Sequence, residues 1–145
     1  AAKMAQFNTV GLEAAQKEFL LMTERATKAV PLALEAGADV LVKAQKEEAQ
    51  KLNISGRSKG ALVRSIKADK VKGNTISKYT EIYPHGIDRS HTKKGVRNAE
   101  KGFVLEYGRS NMPARPWMST ANERSASKVM DAMVKVWEDT TNGSG

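Results

Sequence analysis

The sequence predicts an α+β protein with long N-terminal helices, a β-hairpin or small antiparallel sheet, and a C-terminal helix pair. Three observations predict it. Apolar residues recur at spacings of three and four between Leu12 and Leu52, which is helical periodicity. A two-residue alternation follows a Gly-Asn turn signal in the middle of the chain. Helical spacing then returns on both sides of a proline-rich connection.

Taken in order, Met4, Phe7 and Val10 fit either a short strand or a frayed lead-in. From Gly11 onward, Leu12, Ala15, Phe19, Met22 and Ala26 fall on one helical face. Proline lacks the N–H that a helix interior needs, so Val30-Pro31 predicts a break or kink. A second helix is expected from Pro31 to Leu52, with Leu34, Ala38, Leu41, Gln45 and Leu52 inward. Ser55-Gly56 supplies turn chemistry, and Leu62 and Ile66 mark a short helical segment. The hairpin is expected from Ile66–Val71 and Ile76–Tyr83 about a turn at Lys72–Thr75. Pro84 to Gly95 reads as a loop. Ala99, Phe103, Val104 and Tyr107 form a short helical face that Gly108 ends. The last helix is expected from Pro116 to Glu138, with a stripe of Ala126, Val129, Met130, Met133, Val136 and Trp137. A single domain covers residues 1–139, and residues 140–145 form a flexible polar tail.

The composition narrows the function classes. The chain has 145 residues, 40% hydrophobic and 6% aromatic, which suits one small core filled mostly by aliphatic side chains. It has no cysteine, so disulfides, thiol nucleophiles and cysteine-ligated metals are excluded. No apolar run is long enough to cross a bilayer, and no membrane association is expected. The net charge is +8, which favours polyanionic neighbours.

The most distinctive stretch is Leu105 to Met118. It reads as a helix end, a glycine-capped turn and a rigid Pro-x-x-Pro entry into the last helix. Trp117 opens that helix as an anchor for a core or an interface. Glu106 and Arg115 lie across the turn, where a carboxylate–guanidinium pair would clamp it. Glu106-Tyr107-Gly108-Arg109-Ser110 followed by Met112-Pro113-Ala114-Arg115-Pro116-Trp117 resembles the C-terminal signature of the tail-completion, or head–tail joining, proteins of long-tailed bacteriophages. Ser55-Gly56-Arg57 and Leu62-Val63-Arg64-Ser65-Ile66 loosely resemble that family's upstream pattern, with Ser-Gly in place of Thr-Gly and extra residues before Leu62.

The resemblance implies a structural virion protein at the head–tail junction or tail, assembled in the host cytoplasm. Its partners would be other copies of itself in a ring, the neck connector, and tail-terminator or tail-tube proteins. The motif residues Glu106, Tyr107, Gly108, Met112, Pro113, Ala114, Arg115, Pro116 and Trp117 would then be an assembly scaffold. No cofactor and no catalysis are implied.

Between Arg57 and Lys101 stand twelve cations against four acids, a local excess equal to that of the whole molecule. The bland reading is a solvated surface. The functional one places Arg57, Lys59, Arg64, Arg89, Lys93, Lys94 and Arg97 against genomic DNA, through non-specific phosphate contacts, or against an acidic partner. A free-standing basic module for double-stranded nucleic acid is the alternative function. His85, Asp88 and His91, three apart, invite a metal-site or metal-dependent nuclease reading. Without a fourth ligand, exposed loop histidines are the default and no metal is assigned. No phosphate-cradling loop, nucleophile elbow or His-Glu-x-x-His helix occurs, so the chain reads as a non-enzyme.

Overall fold

The computed structural model describes the backbone of residues 2–142 and the side chains of residues 13–142. The helices are α1 (Ala2–Gln50), α2 (Gly56–Ser65), α3 (Asn98–Tyr107) and α4 (Trp117–Thr141). The strands are β1 (Ile66–Ala68), β2 (Lys72–Gly73), β3 (Lys78–Tyr79), β4 (Ile82–Pro84), β5 (Ile87–Asp88) and β6 (Val96–Arg97). They pair antiparallel as β1–β4, β2–β3 and β5–β6. The class is α+β, as the periodicities predict.

Of the break or kink expected at Val30-Pro31, the break does not occur, because α1 runs through Pro31. An interior proline costs a helix about 3 kcal/mol. Here Ala29 and Ala33, on either side of it, are both buried, so packing holds the backbone helical. The lead-in at Met4, Phe7 and Val10 is helical backbone too, while the side chain of Leu12 lies outside the described residues.

The covering partner is α4, which lies antiparallel to α1. Arg25 reaches the Thr141 carbonyl, Gln45 donates to Asn122 Oδ1 at 3.0 Å, and Arg124 meets Glu47 and Glu48. Small residues bring the two helices close. A methyl group on Gly37 would sit 2.7 Å from Met133 Cγ, inside any van der Waals contact. The inner face of α1 is alanine-rich: Ala29, Ala33, Ala38, Ala44 and Ala49 are buried together with Gln45. Of the stripe expected on α4, Val129, Met133 and Val136 are partly covered, whereas Ala126, Met130 and Trp137 are exposed. The helix continues through Thr141, so the expected polar tail begins as helix; residues 143–145 lie outside the described residues.

The predicted hairpin is present but interrupted. Ile66 pairs with Pro84, and Lys72 with Tyr79, so the register slips by one residue between the two ladders. Lys70 and Val71 therefore oppose Thr80 alone, as in a β-bulge. The turn is tied by Asn74, whose Oδ1 accepts the N–H groups of Ile76 and Ser77. The stretch expected to be one loop holds the end of β4 and a second hairpin, β5–β6. Gly86 and Gly95, both at φ 76°, supply the backbone reversals at its two ends.

On α3 the expected apolar face is not the buried one. Gly102, Leu105 and Glu106 point inward, and Phe103 and Tyr107 point out. Gly102 explains the rotation: its missing side chain leaves room for Trp117 and Pro84 to press against the helix. The apolar core is a cluster of Ala49, Leu52, Leu62, Ile66, Leu105 and Trp117. It gathers α2, β1, α3 and the N-terminus of α4 around the C-terminal end of α1.

Candidate functional site

The segment between α3 and α4 must turn sharply and start a helix at a proline, and several groups combine to do this. Gly108, at φ 77°, ends α3 and donates its N–H to the Val104 carbonyl at 2.7 Å. Any Cβ there would come to 2.7 Å of both Ala114 N and Met112 O, so only glycine fits. Arg109 and Met112 exchange backbone hydrogen bonds of 2.8 and 3.1 Å, closing the turn. The Arg115 N–H then returns to the Leu105 carbonyl at 2.7 Å.

The start of α4 presents unpaired N–H groups, as every helix N-terminus does. Pro116, at the N-cap, has no side-chain acceptor, and the first turn holds no acid. Glu106 fills that role from the neighbouring helix. Its Oε2 accepts the Met118 N–H at 2.8 Å and its Oε1 the Ser119 N–H at 2.9 Å. The carboxylate also sits at the positive end of the α4 dipole. Trp117 is only 3% exposed, and its Nε1–H donates to the Gly102 carbonyl at 3.0 Å. The indole is thus a core anchor with its polar atom satisfied.

The Glu106–Arg115 pair expected from the sequence is not formed. Glu106 is taken by the orphan donors of α4, and Arg115 Nη1 donates to the Asn53 carbonyl at 3.0 Å, tying the bend to the α1–α2 connection. Tyr107, Pro113, Ala114 and Pro116 are exposed on the outside of the bend. Tyr107 packs its ring against Phe103, with centroids 4.6 Å apart. Beside the turn lies an open cavity of ≈ 480 Å³ floored by Ile54, Val104, Leu105 and Met112 and edged by Lys101 and Arg109.

The basic tract divides into two kinds of residue. Lys59 is structural: its ammonium donates to the carbonyls of Gln50 at 3.2 Å and Leu52 at 3.1 Å, satisfying the C-terminal end of α1. Arg57, Arg64, Arg89, Lys93, Lys94 and Arg97 are exposed, the central three on the tip that joins β5 to β6. Lys101 lies beneath them, bridging the Ser58 carbonyl at 3.0 Å and Asp88 Oδ2 at 2.6 Å. Burial pushes the Asp88 carboxyl up, but hydrogen bonds from Lys101 and Ser90 outweigh it and leave the group well below the ordinary carboxylate range.

His85, Asp88 and His91 do not converge. His85 faces Asp69 Oδ1 at 3.0 Å and the Tyr83 carbonyl at 2.7 Å, Asp88 serves Lys101, and His91 is exposed. The hydrogen bond from His85, followed by Lys72, holds the Asp69 carboxyl below its usual value. Among the described residues no group of three or more His, Asp or Glu is placed to hold a metal ion.

Sequence reasoning passed over Glu48, buried under Arg124 and Lys51, and the Lys101–Asp88 bridge. The Arg124–Glu48 contact joins α1 to α4 and the Lys101–Asp88 bridge joins α3 to β5, so each forms only where these elements meet in the fold. The one available hint was for Glu106: a helix that starts at proline with no acid in its first turn needs an acceptor from elsewhere.

No family model, curated protein or solved structure matches the chain.

Proposed function

We propose that the chain is a structural virion subunit of a tailed bacteriophage, acting in tail completion or head–tail joining through ring assembly at the neck. The observation that carries this reading is the Glu106–Trp117 segment, whose residues resemble the family's signature. In this fold Glu106, Gly108, Arg115 and Trp117 all serve to hold one bend rigid. A ring subunit needs such rigidity, because a small angular error at each contact accumulates around the ring. The exposed outer side of the bend, with Tyr107, Phe103 and Pro113, is then the surface offered to the connector or to tail-terminator or tail-tube proteins. The chain works by association, without cofactor or catalysis, at the head–tail junction of the virion.

Disrupting the gene in the phage that encodes it tests the reading. Filled heads and finished tails should accumulate unjoined, and electron microscopy of wild-type particles should place the subunit at the neck. Infectious, joined particles made without it would overturn the proposal. A second reading, a basic module for double-stranded nucleic acid, is favoured by Arg89, Lys93 and Lys94 standing together on the β5–β6 tip. Mobility shifts over a salt series decide it, since phosphate contacts weaken steeply as salt rises.

A further inference from the structure

Upstream of Arg25, α1 runs past the end of α4. Arg25 Nη1 meets the Thr141 carbonyl in the last turn of α4, and the described side chains 13–24 lie beyond it on α1. At 1.5 Å per residue they span about 18 Å of helix, with Thr23 beside the hairpin residues Thr75 and Ile76. From Glu13 to Glu24 every side chain is exposed, including Phe19 at 69% and Leu20 and Met22 at 61%. Phe19 to Met22 are four successive apolar residues, which cover most of one helical turn. Phe19, Met22 and Ala26 also continue, at spacings of three and four, the stripe that Ala29 and Ala33 bury against α4. The stripe thus outlasts its partner helix.

The same molecule has an apolar groove with nothing in it. Val30, Ala33 and Leu34 of α1 face Met130, Met133 and Trp137 of α4 around a cavity of ≈ 270 Å³. Met130 and Trp137 stand 58% and 40% exposed on its rim. Unbranched methionines adapt to an incoming surface better than branched side chains do. Lys78 of the first hairpin lines the groove, and residues 13–24 carry Glu13, Glu18 and Glu24 against Lys17, so Lys78 offers that stretch a counter-charge.

We propose that the free stretch of α1, residues 13–24, docks into the α1–α4 groove of a second copy of this chain. The arm then becomes a third helix between the two of its neighbour, which covers both the Phe19–Met22 stripe and the off-stripe Leu20 and Leu21. It deepens the ring-assembly reading by naming the contact between copies, but it is tested on the isolated protein and stands or falls separately.

The chain has no cysteine, so introduced thiols report only the chosen contact. A Met22→Cys copy mixed with a Val134→Cys copy and mildly oxidised should give a disulfide-linked pair, while Met22→Cys mixed with Arg64→Cys should not. Sedimentation of the wild type should show association that rises with concentration. Phe19→Asp with Met22→Asp should weaken it by more than about tenfold, with the melting transition in dilute solution unchanged because neither side chain is packed in the monomer. A wild type that stays monomeric throughout would overturn the proposal. So would Met22→Cys copies that link only to each other, or aggregation without the mixed link. A protein that cross-links as described but is dispensable for joining heads to tails would overturn the proposed function and leave this contact standing.

Discussion

At one end of the molecule Ala49, Leu52, Leu62, Ile66, Leu105 and Trp117 close a core to which all four helices contribute. At the other end a single helix carries Phe19, Leu20, Leu21 and Met22 into solvent. The first end is also sealed by polar groups with fixed partners: Glu106 on the α4 N-terminus, Arg115 on Asn53, Lys59 on the end of α1. Between them, α1 and α4 touch through alanines, a glycine and methionines, with few large side chains buried. The comparison separates two duties. Apolar surface at the core end holds the monomer together, and apolar surface at the arm end is left for association.

The largest test of that separation sets Trp117→Ala against Phe19→Ala. Trp117 fills the core and donates a buried hydrogen bond, so its loss should cost about 3–5 kcal/mol in denaturant unfolding. Phe19 is 69% exposed in the monomer, so in dilute solution its truncation should stay within about 0.5 kcal/mol. Equal losses at the two positions would break the comparison. Next in size is Gly37→Leu at the close approach of α1 and α4. Its side chain has nowhere to go but into Met133 and Val129, and overpacking of this kind costs about 1–3 kcal/mol. Thermal unfolding should show the loss, accompanied by earlier proteolysis within α4 than within α3.

Glu106→Gln is a smaller and more pointed change. A carboxylate accepts both N–H groups of α4, whereas an amide offers one oxygen and turns a donor toward the other. One helix donor is left unpaired in a partly buried place, at a cost of about 1 kcal/mol. The two oxygens at 2.8 and 2.9 Å predict that Glu106→Asp, too short to reach both, does no better.

Much of this was legible in the sequence where the cause is local. The order helix, Gly108 cap, turn, helix follows from glycine, proline and helical spacing within a few residues, although α3 buries a different face and the expected Glu106–Arg115 clamp is not formed. Pro31 misled because the local rule is overruled by α4, which pairs with α1 from far along the chain. The β5–β6 hairpin escaped notice because two-residue strands carry no alternation to read; only Gly86 and Gly95 hinted at it. Glu106 and Arg115 were expected to pair with each other, but their partners depend on how α3 meets α4 and the α1–α2 connection. The Phe19–Met22 stripe was visible, yet periodicity cannot say that the opposing helix stops short.

The smallest difference at neutral pH is one that only acid reveals. Asp88, the last residue of β5, faces the largely covered ammonium of Lys101, and its carboxyl sits well below the ordinary value in the folded protein. In the unfolded chain it should titrate near the usual aspartate value of about 3.9. A carboxyl depressed by folding stabilises the fold fully above that unfolded value, and the contribution falls as pH drops below it toward the folded one. Stability of the core end should therefore be flat from neutral pH to about 4 and decline below that. Asp88→Asn removes the titrating group and should flatten that acid limb, after an initial loss from leaving Lys101 without its counter-charge. Phe19→Ala should leave the limb untouched, because no part of the arm contacts the pair. If the acid limb survived unchanged in Asp88→Asn, the pH response would belong to another carboxyl, with Asp69 beside His85 the next to test.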